Sequence, residues 1–407
     1  MASRFRHGVS LSPPERHDVT PGRKIGIAWV ALVAVAVVAG WAWARSPGAI
    51  VDEGLFADAG DALLHGRLGD VYAYPIVQAG PLELLWVRLL TGLDAVSPGL
   101  HVTALGVVGV PGVTLTAGYA VRRLRAALGL PRAAAVELAV AALALVWGVG
   151  AAFAFCGHPA QVVVPVTWVA AGVLARRRRP WAAGGVVGLA AGWETWAVLG
   201  AAVLLLGPAG RQPSDALGGA PAAWASAAKA AAGLVAVVAA LYLPFVATGR
   251  FRMLDDRWPV SPRSLVAEAV PALGAEGFPW WARAVQAAAA LAAAAAVARA
   301  LPRGPDAVWL VPLVAVAVRL VLDPVLHPYY WTAPLVLALA GVGVSRRRSA
   351  AGVAVVVTCA WQAWPWAATW PGTAFVTLPL CAACVALARG HAPETRPHRP
   401  GRSRRAT

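Results

Sequence analysis

Between Ile25 and Ala388 the chain repeats one pattern, an apolar run of bilayer-crossing length followed by a short cluster of arginines, and this limits its fold more than any motif does. A run of about 20 apolar residues covers the hydrocarbon core only as a helix, because lipid offers no partner to an open backbone polar group. Hydrophobic residues make up 59% of the chain and charged residues 13%, which excludes an ordinary water-soluble globule. The net charge of +16 does not mark a nucleic-acid partner, since the arginines sit between apolar runs and in the two tails. Clusters such as Arg122/Arg123/Arg125, Arg176–Arg179 and Arg346–Arg348 are a topology signal instead. Cys381 and Cys384 form a CxxC inside an apolar run with no second pair, and read as small core residues rather than half of a zinc site.

The expected fold is therefore an all-α polytopic membrane protein of about twelve transmembrane helices. Residues 1–24 and 389–407 are expected as disordered basic cytoplasmic tails flanking a membrane domain at 25–388. Expected spans lie at 25–44, 100–121, 133–154, 160–175, 225–247, 280–300, 306–322, 332–344, 350–366 and 373–388. The run Trp181–Leu206 is interrupted by Trp193-Glu194-Thr195. A single crossing there would invert every later arginine cluster, so two short helices forming a hairpin, with Glu194 near the outer tip, are expected. Pro75–Gly92 carries Gln78, Glu83 and Arg88 and suits a helix lying along the membrane surface in the first outer loop, residues 45–99. The second polar outer loop is 248–279.

This topology gathers five polar features on the extracytoplasmic face: the acidic stretch from Asp52 to Asp70, the His158–Gln161 turn, Glu194, the Arg250/Arg252/Arg257 loop and the His327–Tyr330 turn. Carboxylates beside a membrane span point to function or to a solvated loop. Arginines on the outer face run against the charge bias and call for an anion, either a ligand or Asp255 and Asp256 in the same loop. No central span carries the chain of ionisable groups of a proton-coupled transporter.

Asp52, Phe56, Gly66, Val71-Tyr72 and Pro75 together resemble the first outer loop of the GT-C glycosyltransferases that use polyprenyl-phosphate sugars, especially bacterial polyprenyl-phosphate-mannose-dependent mannosyltransferases. Gly157-His158-Pro159-Ala160-Gln161 is similar to that family's Gly-Asn-x-x-Gln turn, the hairpin Gly184–Leu206 to a family hairpin, and His327-Pro328-Tyr329-Tyr330 to its late His-x-Tyr turn. The resemblance covers roughly residues 25 to 345. Two departures stand out: Glu194-Thr195 replaces a lysine-proline pair at the hairpin tip, and Asp52-Glu53 replaces an aspartate followed by an apolar residue.

The resemblance implies an inverting transfer of mannose or a similar sugar from a polyprenyl-phosphate donor to a lipid, glycan or protein acceptor at the outer face of the plasma membrane, both termini being cytoplasmic. An attacking hydroxyl needs a carboxylate to take its proton, with Asp52 first, then Glu53, then Asp58. The departing phosphate needs donors already in place, for which Arg250, Arg252, Arg257, His327, Tyr329 and Tyr330 are candidates, with Tyr72, His158, Gln161 and Glu194 as further substrate contacts. No cofactor is expected and no set of residues has metal-ligand spacing, although Asp52, Glu53 and Asp58 offer oxygens to a divalent cation. The rival readings are a secondary transporter or lipid flippase and a non-catalytic polyprenyl-lipid-binding relative. Membrane lipid is a partner on every reading, and nucleic acid on none.

Overall fold

A computed structural model describes residues 21–45, 53–155, 158–207, 220–301, 304–325, 327–345, 351–356, 358, 379 and 381–386. Asp52, most of the two expected tails, and most of the expected spans 350–366 and 373–388 lie outside these residues. The described chain is helical apart from one pair of two-residue strands. Helix α1 is Pro21–Ala44, beginning a few residues before the expected span. The acidic stretch is helical: α2, Glu53–Leu64, leads through the single turn α3, Leu68–Val71, to α4, Pro81–Thr91, which packs on α2. Helix α4 starts where Pro81 occupies its first position, a place that tolerates the missing N–H.

Helix α5, Leu100–Ala104, passes through a π-turn, Leu105–Gly109, into α6, Val110–Ala127, so that Leu100–Ala127 is one continuous apolar helix. Pro111 lacks the N–H that would bond four residues back, and the wider turn just before it absorbs that loss. The expected span 133–154 is instead two pieces, α7, Ala134–Val146, and α8, Val149–Phe155. The break falls at Gly148, whose φ of 74° is left-handed and ends α7 as only glycine does cheaply.

Helix α9 is Ala160–Arg176 and α10 is Pro180–Ala191. The chain then turns at Gly192–Glu194 into a long 3-10 helix, Thr195–Leu205, that packs against α10. The interrupted hairpin is therefore present, but its second arm is 3-10 rather than α. The indole N–H of Trp168 on α9 donates to Ala197 O at 2.8 Å, fixing that arm against the core.

Helix α11, Ala220–Val246, reaches the second polar loop, where β1, Arg257–Trp258, pairs antiparallel with β2, Phe278–Pro279, around the short helices α12, Leu265–Ala269, and α13, Pro271–Glu276. Helices α14, Trp280–Ala300, α15, Ala307–Val321, and α16, Thr332–Val344, follow, with a 3-10 turn at Pro328–Trp331 before α16.

Among the described residues, four helices are long and apolar enough to cross a bilayer: Lys24–Ala44, Leu100–Ala127, Trp224–Val246 and Trp280–Ala300. Helix α15 is buried along nearly its whole length, and with α9 and α16 it forms the centre of the main core around Trp168 and Trp309. A second core under the first loop joins Phe56, Tyr72, Leu84 and Val87 to Phe245 and Met253.

Candidate functional site

The site is assembled on the junction between the start of α4 and the hairpin tip. Gly80 N donates to Trp193 O and Leu82 N to Gly192 O, both at 2.8 Å, and Ala79 pairs with Glu194 as an isolated bridge. Gly80 permits this approach because a Cβ there would lie 2.2 Å from Gly192 O. The zipper brings Glu83, fully buried in the first turn of α4, beside Glu194. His158, just ahead of α9, completes the group: its Nδ1 lies 4.0 Å from Glu83 Oε1 and 3.8 Å from Glu194 Oε1.

The His158 ring is held in place by aromatic neighbours. Tyr329 stacks on it at 4.7 Å with 12° between planes, and Phe56 approaches edge-on at 5.4 Å. His327 stacks on the far side of Tyr329 at 5.1 Å, so three rings form a column.

A cavity of about 540 Å³ opens above this group. Its lining draws on α2 (Leu55, Phe56), the hairpin tip (Glu194–Trp196), the second polar loop (Asp256–Pro259), α14 (Arg283, Gln286), α15 (Arg319) and the turn before α16 (His327, Tyr329, Tyr330). All five polar regions expected to converge contribute to this one space.

Its cationic side consists of Arg283 and Arg319, which share one buried carboxylate. Asp323 Oδ1 accepts from Arg283 Nη1 at 3.2 Å, and Asp323 Oδ2 lies 3.5 Å from Arg319 Nη2. Two guanidinium groups against one carboxylate leave a positive surplus on that wall. Arg283 also donates to Gln286 Oε1 at 2.9 Å and lies over Trp258 at 4.6 Å, while Arg319 lies between Trp196 at 4.5 Å and Tyr330 at 4.9 Å. Arg319 is 5% exposed, and among the described residues its Nη1 has no acceptor. In the adjoining polar loop, burial pushes the Asp256 carboxyl above its ordinary range, against the opposing pull of the Arg257 N–H and the Arg283 charge.

Of the residues singled out from the sequence, His158, Glu194, Arg257, His327, Tyr329 and Tyr330 line the cavity. Six described candidates do not. Glu53 faces away and pairs with His101 Nε2 at 2.6 Å, His101 in turn meeting Asp94 at 2.7 Å. Asp58 is exposed on the outer side of α2. Arg250 is exposed and bound to Asp70 at 2.7 Å, and Arg252 is exposed and bound to Asp255 at 2.9 Å; Arg257, which does line the cavity, also lies 3.9 Å from Glu276, so each of the three loop cations has an acidic neighbour. Tyr72 is a core residue whose hydroxyl donates to Ala79 O at 3.1 Å, shaping the segment before α4 from beneath. Gln161 is buried on α9 without lining the cavity.

Sequence reasoning missed Glu83, Arg283, Arg319 and Asp323. The available signal was the presence of an arginine inside an apolar run with an aspartate four residues on, since a charge in a membrane helix is retained only with a partner and a use.

Fold and site together define an all-α membrane protein with a deep cavity that is cationic on one wall, carboxylate-bearing on another and aromatic between. No protein-family model, no curated protein and no solved structure matches the chain.

Proposed function

We propose that the protein is an integral-membrane glycosyltransferase of the GT-C type, with about twelve membrane helices, that moves a sugar from a polyprenyl-phosphate donor to an extracytoplasmic acceptor with inversion. The observation that carries this reading is the pairing, within one cavity, of a surplus arginine charge with carboxylate groups. A leaving phosphate develops charge that planar, preorganised guanidinium donors stabilise, and Arg319 Nη1 is a donor of that kind with Arg283 and Arg257 beside it. The cavity volume of about 540 Å³ lies within the usual range of small-ligand sites. The stacked column of His158, Tyr329 and His327 offers flat apolar faces of the kind that pack against a sugar ring.

Asp52, immediately before α2, is the proposed base, and Leu55 and Phe56 at the start of that helix line the cavity. Glu194 is a carboxylate of the cavity itself and is the second candidate. The acceptor hydroxyl attacks the anomeric carbon opposite the phosphate, its proton passes to the carboxylate, and the polyprenyl phosphate leaves towards the arginines. In this reading the cavity faces the outer side of the plasma membrane and both termini are cytoplasmic.

The test is transfer of label from radiolabelled polyprenyl-phosphate mannose to a native lipid extract by membranes carrying wild type, Asp52→Asn or Glu194→Gln. Transfer by wild type that is lost in Asp52→Asn supports the reading and its base. Loss only in Glu194→Gln moves the base to the hairpin tip. No transfer from any lipid-linked sugar by the wild-type chain would overturn the reading and favour a polyprenyl-lipid-binding protein.

A further inference from the structure

We propose that Glu83, His158 and Glu194 form a binding site for one divalent transition-metal ion, with Zn²⁺ the best fit, at the floor of the cavity. One ligand atom from each of the three lies within 4.8 Å of the others. The His158 Nδ1 separations of 4.0 and 3.8 Å are close to the spacing of ligand atoms around a metal. Atoms about 2.1 Å from a tetrahedral ion stand about 3.4 Å apart, so the two histidine edges close with about half an ångström of movement and the carboxylate–carboxylate edge, within 4.8 Å, with at most about 1.4 Å, the reach of a side-chain rotation.

The chemistry of the donors points the same way. An imidazole nitrogen suits Zn²⁺, carboxylate oxygens are ligands it also accepts, and the two carboxylate charges match a dication. Side-chain exposures of 0% for Glu83, 9% for His158 and 13% for Glu194 put these donors where bulk water screens little.

The scaffold is rigid in the way a metal site requires. Glu83 and Glu194 are fixed to each other by the two backbone hydrogen bonds between the α4 start and the hairpin tip. The ring plane of His158 is set by Tyr329 and Phe56. The three donors come from three separate parts of the chain, so the geometry is tertiary and has no spacing signature in the sequence.

Three protein ligands leave a fourth position, and His158 and Glu194 both line the cavity, so that position opens to whatever occupies it. The ligand class for the open position is an oxygen donor, such as a hydroxyl, a phosphate oxygen or water. This inference stands on the cluster alone and does not require glycosyl transfer.

The experiment uses the full chain, purified without a histidine tag into lipid nanodiscs, stripped with a chelator and dialysed against micromolar ⁶⁵Zn²⁺. Wild type is expected to retain about one ion per chain. Glu83→Gln, His158→Asn and Glu194→Gln are each expected to weaken binding by about tenfold or more. Asp58→Asn is expected to bind as wild type, which separates this site from the acidic stretch. Because a substitution at a buried site can harm folding, Co²⁺ loading of the wild type is measured as well: a visible ligand-field band that Zn²⁺ abolishes is the expected result. Wild-type binding no greater than that of the three single variants, or no Co²⁺ band that Zn²⁺ abolishes, would overturn the proposal.

Discussion

Asp323→Asn is the substitution whose effect follows most directly from the structure. The Asp323 side chain has no exposed surface and, among the described residues, is the one carboxylate ion-paired to Arg283 and Arg319, at 3.2 and 3.5 Å. It also accepts the Val325 N–H at 3.0 Å, which pins the turn leading to His327. Asparagine keeps that last bond and the volume but removes the charge, leaving two nearly buried guanidinium groups beside each other. At an effective dielectric near 20 each ion contact represents about 5 kcal/mol of gross attraction, most of it offset by the cost of desolvation. The net cost of removing one partner of such a buried group is about 3–5 kcal/mol.

For a chain of this size that cost lowers a thermal midpoint by about 4–6 °C. The assay follows the folded monomer by size exclusion in detergent after heating at a fixed rate, since membrane proteins rarely refold from heat. Arg319→Met alone should also destabilise. The double variant should be less impaired than the sum of the two single variants, with a coupling of about 1 kcal/mol or more. A midpoint for Asp323→Asn within about 1 °C of wild type would refute the argument, because it would mean the two arginines are not sustained by this carboxylate.

Gly80→Ala should separate α4 from the hairpin tip, because its Cβ would meet Gly192 O at 2.2 Å and Gly192 C at 2.4 Å. The expected cost is about 1–3 kcal/mol, read as a lower melting midpoint. Trp168→Phe removes the donor to Ala197 O at 2.8 Å inside the core and should cost about 1–3 kcal/mol by the same melt; an unchanged midpoint would show that the 3-10 arm holds without it. The hydrogen bond from Arg88 holds the Asp61 carboxyl below its ordinary range. The stability this gives is present above the unfolded carboxylate pKa and is lost as pH falls through the lower folded value, so acid melts of wild type and Arg88→Gln should converge at low pH. Asp256 behaves oppositely: burial raises its folded pKa, so ionisation disfavours the fold above that value. Asp256→Asn should melt no lower than wild type at neutral pH, and any advantage should vanish once the pH drops below the unfolded carboxylate range.

Much of the architecture was legible because lipid makes it so. The helices α9, α14, α15 and α16 fall close to the expected apolar runs, since a backbone in hydrocarbon has no alternative to the helix. The interrupted run at Trp193–Thr195 marked the turn at the hairpin tip for the same reason: a glutamate there needs a polar setting. What could not be read was how each charge is used. Arg250 and Arg257 stand in one loop, yet one pairs with Asp70 on α3 and the other lines the cavity, a division set by the antiparallel pairing of β1 and β2. Neither two-residue strand has a sequence period long enough to announce itself. Glu83 stood inside an amphipathic run and looked like a surface residue, because only the backbone zipper between Gly80 and Trp193 turns it inward.

This division of labour explains why the site is polar in a chain that is otherwise so apolar. The arginines and Asp323 enter from the ends of α14 and α15, the carboxylates from α4 and the hairpin tip, and His158 from the start of α9. Among the described residues, no single helix carries both signs of the cavity; Asp323, the partner of Arg319, lies just beyond the end of α15. Each of these helices therefore brings at most one or two charges to the cavity, a load a bilayer tolerates at a helix end, and the two signs come together only when the ends meet. The consequence is that site and fold are coupled. Displacing the hairpin tip by the roughly one ångström that a methyl group at Gly80 demands moves Glu194 relative to both His158 and Glu83, while leaving Arg283 and Arg319 where they are. Loss of carboxylate-side chemistry with retained anion affinity is the signature that such a coupled site should show.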